Sequence, residues 1–153
     1  MSRLELKIPP PVIALLCVAL AWIVAFFTPG FAFALPARLL ITALLVLGGF
    51  SLDVYGLIAF RRAKTTLDPR APDKSTAIVR SGPYRFSRNP MYLGLSVVLL
   101  GVCAYLANPL TIVAIIAFIA YMTRFQIIPE ERLLLSRFGE TYAQYTRSVR
   151  RWL

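Results

Sequence analysis

Histidine is absent from this chain of 153 residues. That removes an imidazole base, a Ser-His-Asp triad and any histidine-ligated metal. Cysteine is nearly absent as well. Cys17 and Cys103 stand alone in separate apolar runs, so no C-x-x-C pair offers zinc or dithiol chemistry. Each is expected to be a small buried or lipid-facing side chain. Charge is scarce: Asp, Glu, Lys and Arg make up 16% of the residues, against ~25% in an ordinary globular domain. A G-x-G-x-x-G or Walker pattern is missing, as is an alternation of strands and helices. A soluble nucleotide-binding fold is therefore excluded.

What replaces charge is hydrophobicity, at 58% of the chain. Residues 8–37 and 89–123 carry no charge, and residues 39–60 carry only Asp53. Apolar stretches of about 20 residues match a hydrocarbon core ~30 Å thick. The sequence thus predicts an all-α, polytopic membrane protein, organised as a single domain over 1–153. The first span covers about 12–27, between Pro9-Pro10-Pro11 and Thr28-Pro29-Gly30. It starts late and lacks a small-x-small site, unlike a cleavable signal. The second covers about 35–60. The run 89–123 would be ~52 Å long as one helix, and Asn108-Pro109 divides it into a hairpin of about 91–107 and 110–123.

The net charge of +10 lies at the borders of these runs. The loop 63–89 and the segment 124–153 are rich in Lys and Arg, while the two opposite connections hold only Arg38. The positive-inside rule then places both termini and the 63–89 loop in the cytoplasm. The charge is a topology signal rather than a nucleic-acid footprint. Beyond the fourth span, Pro129-Glu130-Glu131 has the pattern of a helix start. Leu134, Phe138, Tyr142, Tyr145 and Val149 recur at helical spacing, predicting an amphipathic interfacial helix with Trp152 as its anchor.

Three constellations carry chemistry. At the junction of loop and third span, Arg85, Arg88, Asn89 and Tyr92 meet a helix start at Pro90, where free N–H groups favour an anionic ligand group. Glu130 and Glu131 are adjacent and project about 100° apart, so one is expected to face a site while the other caps the helix or meets an arginine. Asp53 is the acid inside a span, at a cost of ~2.5–3.5 kcal/mol. Gly49 and Gly56 flank it with a small-residue face for close helix packing. A structural hydrogen bond is its expected role.

The run Gly82-Pro83-Tyr84 … Arg88-Asn89-Pro90-Met91-Tyr92-Leu93-Gly94 resembles the R-H-P-x-Y-x-G signature of the isoprenylcysteine carboxyl methyltransferases and related phospholipid methyltransferases. Glu130-Glu131-x-x-Leu134 … Phe138-Gly139-x-x-Tyr142-x-x-Tyr145 resembles that family's paired-glutamate motif and tail. The likeness covers roughly 61–153. It implies an integral-membrane enzyme that uses S-adenosylmethionine and binds no metal. Carried over by position, Thr76, Ala77, Ile78, Val79 and Tyr84 would line the cofactor pocket. Arg88, Asn89, Pro90, Met91, Tyr92 and Glu130 would complete it. Asn89 stands where the family has histidine, and Gln126 where the carboxylate-binding arginine lies. Arg124, Gln126 and Arg85 are then the candidates for positioning the acceptor. The acceptors implied are a lipophilic isoprenylcysteine-type carboxylate first, a phospholipid amine second and a small thiol third. Two other classes are compatible with the residues. One is a non-catalytic module whose arginines hold anionic lipid headgroups; the other is a reductase of the sterol-reductase type using NADPH.

Overall fold

The computed structural model describes residues 4–31, 34–63 and 77–153. Among them every regular element is helical. Helix α1 (Pro10–Phe27) opens on its prolines, where the missing N–H groups leave no bond unmade. It closes at Thr28, held extended at φ −132° and ψ 148° because Pro29 follows. Helix α2 (Leu35–Arg62) ends on Arg61 and Arg62, cations suited to the negative end of the helix dipole. Helix α3 (Pro90–Leu106) turns through Ala107, in the left-handed conformation, into a short 3-10 turn and helix α4 (Ile112–Tyr121). Asn108 organises this hairpin. Its Oδ1 accepts from Leu110 N–H at 3.0 Å, and its Nδ2 donates to the Thr28 carbonyl at 3.1 Å.

A buried cluster of Ile13, Cys17 and Ala21 from α1, Leu99 and Cys103 from α3, and Ala114, Ile115, Phe118 and Met122 forms the core. Both cysteines are buried in it. Helix α2 lies outside this core and packs chiefly along α3. The contact is made by glycine. A Cβ on Gly49 would lie 2.6 Å from the Gly94 carbonyl oxygen, and one on Gly101 would lie 2.9 Å from Val46 Cγ2. Such close backbone approach is how small residues hold helices together where lipid removes the hydrophobic drive. The outer faces remain apolar: Phe26, Leu47 and Phe50 are each more than 60% exposed. Helices apolar on every side belong in a bilayer. Pro10–Phe27, Leu35–Arg62 and Pro109–Phe138 are long and apolar enough to cross one, and α3 is apolar but shorter.

The end of the fourth span differs from expectation. Pro129 does not start a new helix. The chain continues from α4 through a π-helical turn, Met122–Ile127, into α5 (Ile128–Phe138). Proline at 129 lacks the N–H that would bond the carbonyl four residues earlier, that of Phe125. The N-terminal segment takes the vacancy, with Leu6 N–H donating to Phe125 O at 3.0 Å. The expected single amphipathic helix is also divided. Gly139, at φ +51° and ψ −130°, separates α5 from α6 (Glu140–Ser148), a backbone state suited to glycine. Trp152, expected at the interface, also has an inward contact. It packs against the core cluster, and its indole N–H donates to Thr123 Oγ1 at 3.1 Å.

Candidate active site

The Arg61–Arg62 end of the bundle gathers every segment that the sequence marks as chemical. Residues 77–81 run irregularly into a 3-10 turn, Gly82–Arg85, which buries Pro83 and Tyr84. The Tyr84 ring meets Phe60 edge-on at 5.2 Å, and its carbonyl accepts the Tyr145 hydroxyl at 2.7 Å. Arg80 lies over the Tyr145 ring and bonds the Thr141 carbonyl. Helix α6 is thereby fixed over the turn.

The C-terminal strap completes the enclosure. Arg88 N–H donates to the Arg150 carbonyl at 3.0 Å, and Asn89 Nδ2 donates to the Arg151 carbonyl at 2.9 Å. Asn89 therefore uses its amide to bind the tail and makes no side-chain cap on α3. Arg151 grips Glu131 with two bonds, of 3.1 and 2.7 Å, and Arg88 reaches the same carboxylate at 3.1 Å. The paired acids thus have separate partners. Glu131 knots Arg88 to Arg151, while Glu130 Oε2 accepts the Tyr92 hydroxyl at 3.2 Å.

Between these parts lies a cavity of about 340 Å³. Ala77, Ile78, Val79 and Tyr84 form one wall; Arg88, Asn89, Met91 and Tyr92 form another, faced by Glu130 and Glu131. Several contributors were not foreseen in the sequence. Tyr142 and Tyr145 read there as part of an apolar stripe, and Pro10 and Pro11 as the edge of a generic span; all of them border the cavity, as do Phe60, Leu95, Ile127 and Leu134. Asp53 borders it too. Its Oδ1 is buried and has no hydrogen-bond partner among the described residues.

Other anticipated residues lie elsewhere. Thr76 lies outside the described residues. Pro90 is buried in the first turn of α3, beside the cavity rather than on its wall. Arg85 is exposed, away from the cavity wall. Arg124 is half exposed and pairs with buried Glu5 at 3.2 Å, so its charge is directed to the N-terminal segment. Gln126 is buried on the π-helical turn and does not reach the cavity wall.

Burial also fixes protonation at the rim. It pushes the Tyr145 phenol up to about 12, against the pull of Arg88 and Arg80. Tyr84 and Tyr142 are raised by burial as well, with Glu130 adding to the first and Glu131 to the second. All three are neutral hydroxyls at physiological pH. Arg151 is held protonated by its hydrogen bond to Glu131.

The sequence model of the phospholipid methyltransferase family matches residues 37–141, which include most of α2, the turn, the hairpin and both glutamates. The chain belongs to the phospholipid methyltransferase family. An uncharacterized protein of Haemophilus influenzae is 44% identical over 63 residues, which are 41% of this chain and the whole of that protein. As a member of the phospholipid methyltransferase family, the protein is a membrane methyltransferase acting on lipid-type substrates. The family's span takes in both sides of the α2–α3 seam, so the first half of the cavity wall is part of the same unit as the motifs.

Proposed function

We propose that this protein transfers a methyl group from S-adenosylmethionine to the amine of a lipid reaching the cavity from the bilayer. The charge of the cavity wall carries this reading. Asp53, Glu130 and Glu131 face it against one guanidinium, Arg88, whose Nη2 meets Glu131 and whose Nε is left for the cofactor's own carboxylate, so none is left for a second anion. A cationic ammonium headgroup suits such a wall, whereas a carboxylate would meet net negative charge. The cations that would serve a carboxylate are otherwise committed, Arg124 to Glu5 and Arg85 to the outside. An amine acceptor is therefore ranked above an isoprenylcysteine-type carboxylate, and a small thiol stays third.

The residues fit the cofactor. Its amino-acid end needs donors for a carboxylate and an acceptor for an ammonium. Arg88 Nε is buried with no hydrogen-bond partner among the described residues, which makes it a donor awaiting an anion. Glu130 is the acceptor across from it, and Ile78, Val79 and Tyr84 form an apolar and aromatic slot for adenine. When bound, S-adenosylmethionine supplies an electrophilic methyl on a sulfonium. The chain's task is then to orient and to exclude water. Tyr92 holds Glu130 in place, and the strap 149–152 fixes Arg88, Asn89 and Glu131. No covalent nucleophile is required. With the basic loop and both termini on the cytoplasmic side, the cavity opens toward the compartment that supplies the cofactor.

Calorimetric titration of the purified protein with S-adenosylmethionine tests the cofactor. Saturable binding is expected. Heats that do not saturate by about 1 mM, the level at which binding is worth ~4 kcal/mol, would overturn the proposal.

A further inference from the structure

We infer that Asp53 is the catalytic carboxylate that receives the acceptor's ammonium and takes its proton. This rests on the amine reading of the site given above and assigns its base. The three acids on the cavity wall differ in what they are free to do. Glu131 has both oxygens engaged by Arg88 and Arg151, and Glu130 is bonded to Tyr92. Asp53 lines the cavity; its Oδ1 is wedged against Gly94 without a hydrogen bond among the described residues, which leaves Oδ2 to meet the acceptor. A carboxylate within a membrane-spanning helix is costly without a partner, so its retention on a cavity wall points to a partner that arrives with the substrate.

Position supports the same role. Asp53 lies seven residues before Phe60, ~10 Å along the helix from that residue, where the cavity is lined by Met91 and Leu95. It sits on the α2–α3 seam with its Oδ1 against Gly94. Helix α2 has α3 and the Gly82–Arg85 turn as its main neighbours, and its other faces carry exposed apolar side chains such as Leu47 and Phe50. The titratable and charged groups that share the cavity wall with it are Tyr84, Tyr92, Glu130, Glu131, Tyr142, Tyr145 and Arg88. The one cation among them, Arg88, is paired with Glu131, so Asp53 has no cation of its own.

The chemistry needs such a group. A protonated amine has no lone pair to attack carbon. Asp53 accepts one N–H proton and becomes the neutral acid. The freed nitrogen pair forms the new N–C bond to the methyl as the S–C bond breaks, and the electron pair of that bond stays on sulfur. The nitrogen regains a positive charge, the sulfonium becomes a neutral thioether, and the proton leaves Asp53 for water as product departs.

The test is Asp53→Asn in detergent, read in three ways. Affinity for S-adenosylmethionine should stay within about twofold. Turnover with phosphatidylethanolamine should fall about 100-fold or more, within the range for loss of a general base, with most of the loss in kcat. Affinity for a short-chain phosphatidylcholine, whose quaternary ammonium carries charge but no proton, should fall about tenfold. If cofactor and lipid affinity fall together, Asp53 belongs to the cofactor site and the inference is wrong. Unchanged turnover would equally overturn it, leaving Asp53 as packing. Asp53→Ser, which removes the charge with less bulk against Gly94, repeats the test if the asparagine variant does not fold. Failure of the wild-type protein to bind cofactor would instead strike the proposed function itself.

Discussion

Gly94→Val is expected to leave little folded protein, and Gly94→Ala to lower the thermal midpoint in the same direction. A Cβ at this position would collide with Asp53 Oδ1 and lie 2.7 Å from the Gly49 carbonyl oxygen. Backbone cannot swing aside as a side-chain tip can, so α2 and α3 would have to part. Overpacking ordinarily costs ~1–3 kcal/mol. Here the cost should reach the top of that range or exceed it, because α2 has so little besides α3 to rest on. Parting the helices would also open the cavity between Asp53 and Met91. Thermal unfolding in detergent, followed by cofactor titration, measures both effects. An unchanged midpoint would show that the helices are not pinned at this glycine.

Glu130→Gln is the second large effect. The substitution keeps the shape and an oxygen for the Tyr92 hydroxyl, which now bonds at 3.2 Å, but removes the charge proposed to meet the cofactor's ammonium. Loss of a charge-assisted bond costs about 1.5–3 kcal/mol, or roughly 10- to 150-fold in affinity. Glu131→Gln should behave differently. Its carboxylate holds Arg88 and Arg151 together, so its loss loosens the C-terminal strap and shows first as lowered thermal stability. Tyr92→Phe removes the bond that orients Glu130 and should weaken cofactor binding by less than Glu130→Gln. Equal, small changes in cofactor affinity for all three variants would remove Glu130 from the site.

How much of this was legible in the sequence depended on the range of the interaction. Charge-free runs and Asn108-Pro109 located the spans and the hairpin because bilayer thickness and proline act locally. Gly49 and Gly56 advertised a close helix contact, though not that Gly94 would supply the opposing backbone. Pro129 was misread as a beginning for a physical reason. The carbonyl it leaves open at Phe125 is satisfied by Leu6, more than 100 residues away in the chain. Arg124 had the same problem, since its partner Glu5 comes from the far end of the sequence. Trp152 looked like an interfacial aromatic, and its indole bond to Thr123 was not visible. Tyr142 and Tyr145 showed the period of an apolar stripe, and that period is correct. Periodicity alone does not say whether a stripe covers lipid, core or cavity.

Asp53 was visible as an anomaly, but its role was weighed toward structure because polar groups in spans usually find a partner. The fold instead places it on the cavity wall with one oxygen, Oδ1, wedged against Gly94 and without a hydrogen bond among the described residues. Together with the pairing of Arg124 to Glu5, this is what supports the proposal of an amine acceptor.

The most direct measurement is methyl transfer from labelled S-adenosylmethionine in one detergent preparation offered phosphatidylethanolamine, a farnesylcysteine analogue and an alkyl thiol in parallel. The account predicts label in the phosphatidylethanolamine headgroup, on nitrogen, with the wild-type protein and its loss in Glu130→Gln. Label in the farnesylcysteine carboxyl ester, with none in the amine lipid, would contradict it.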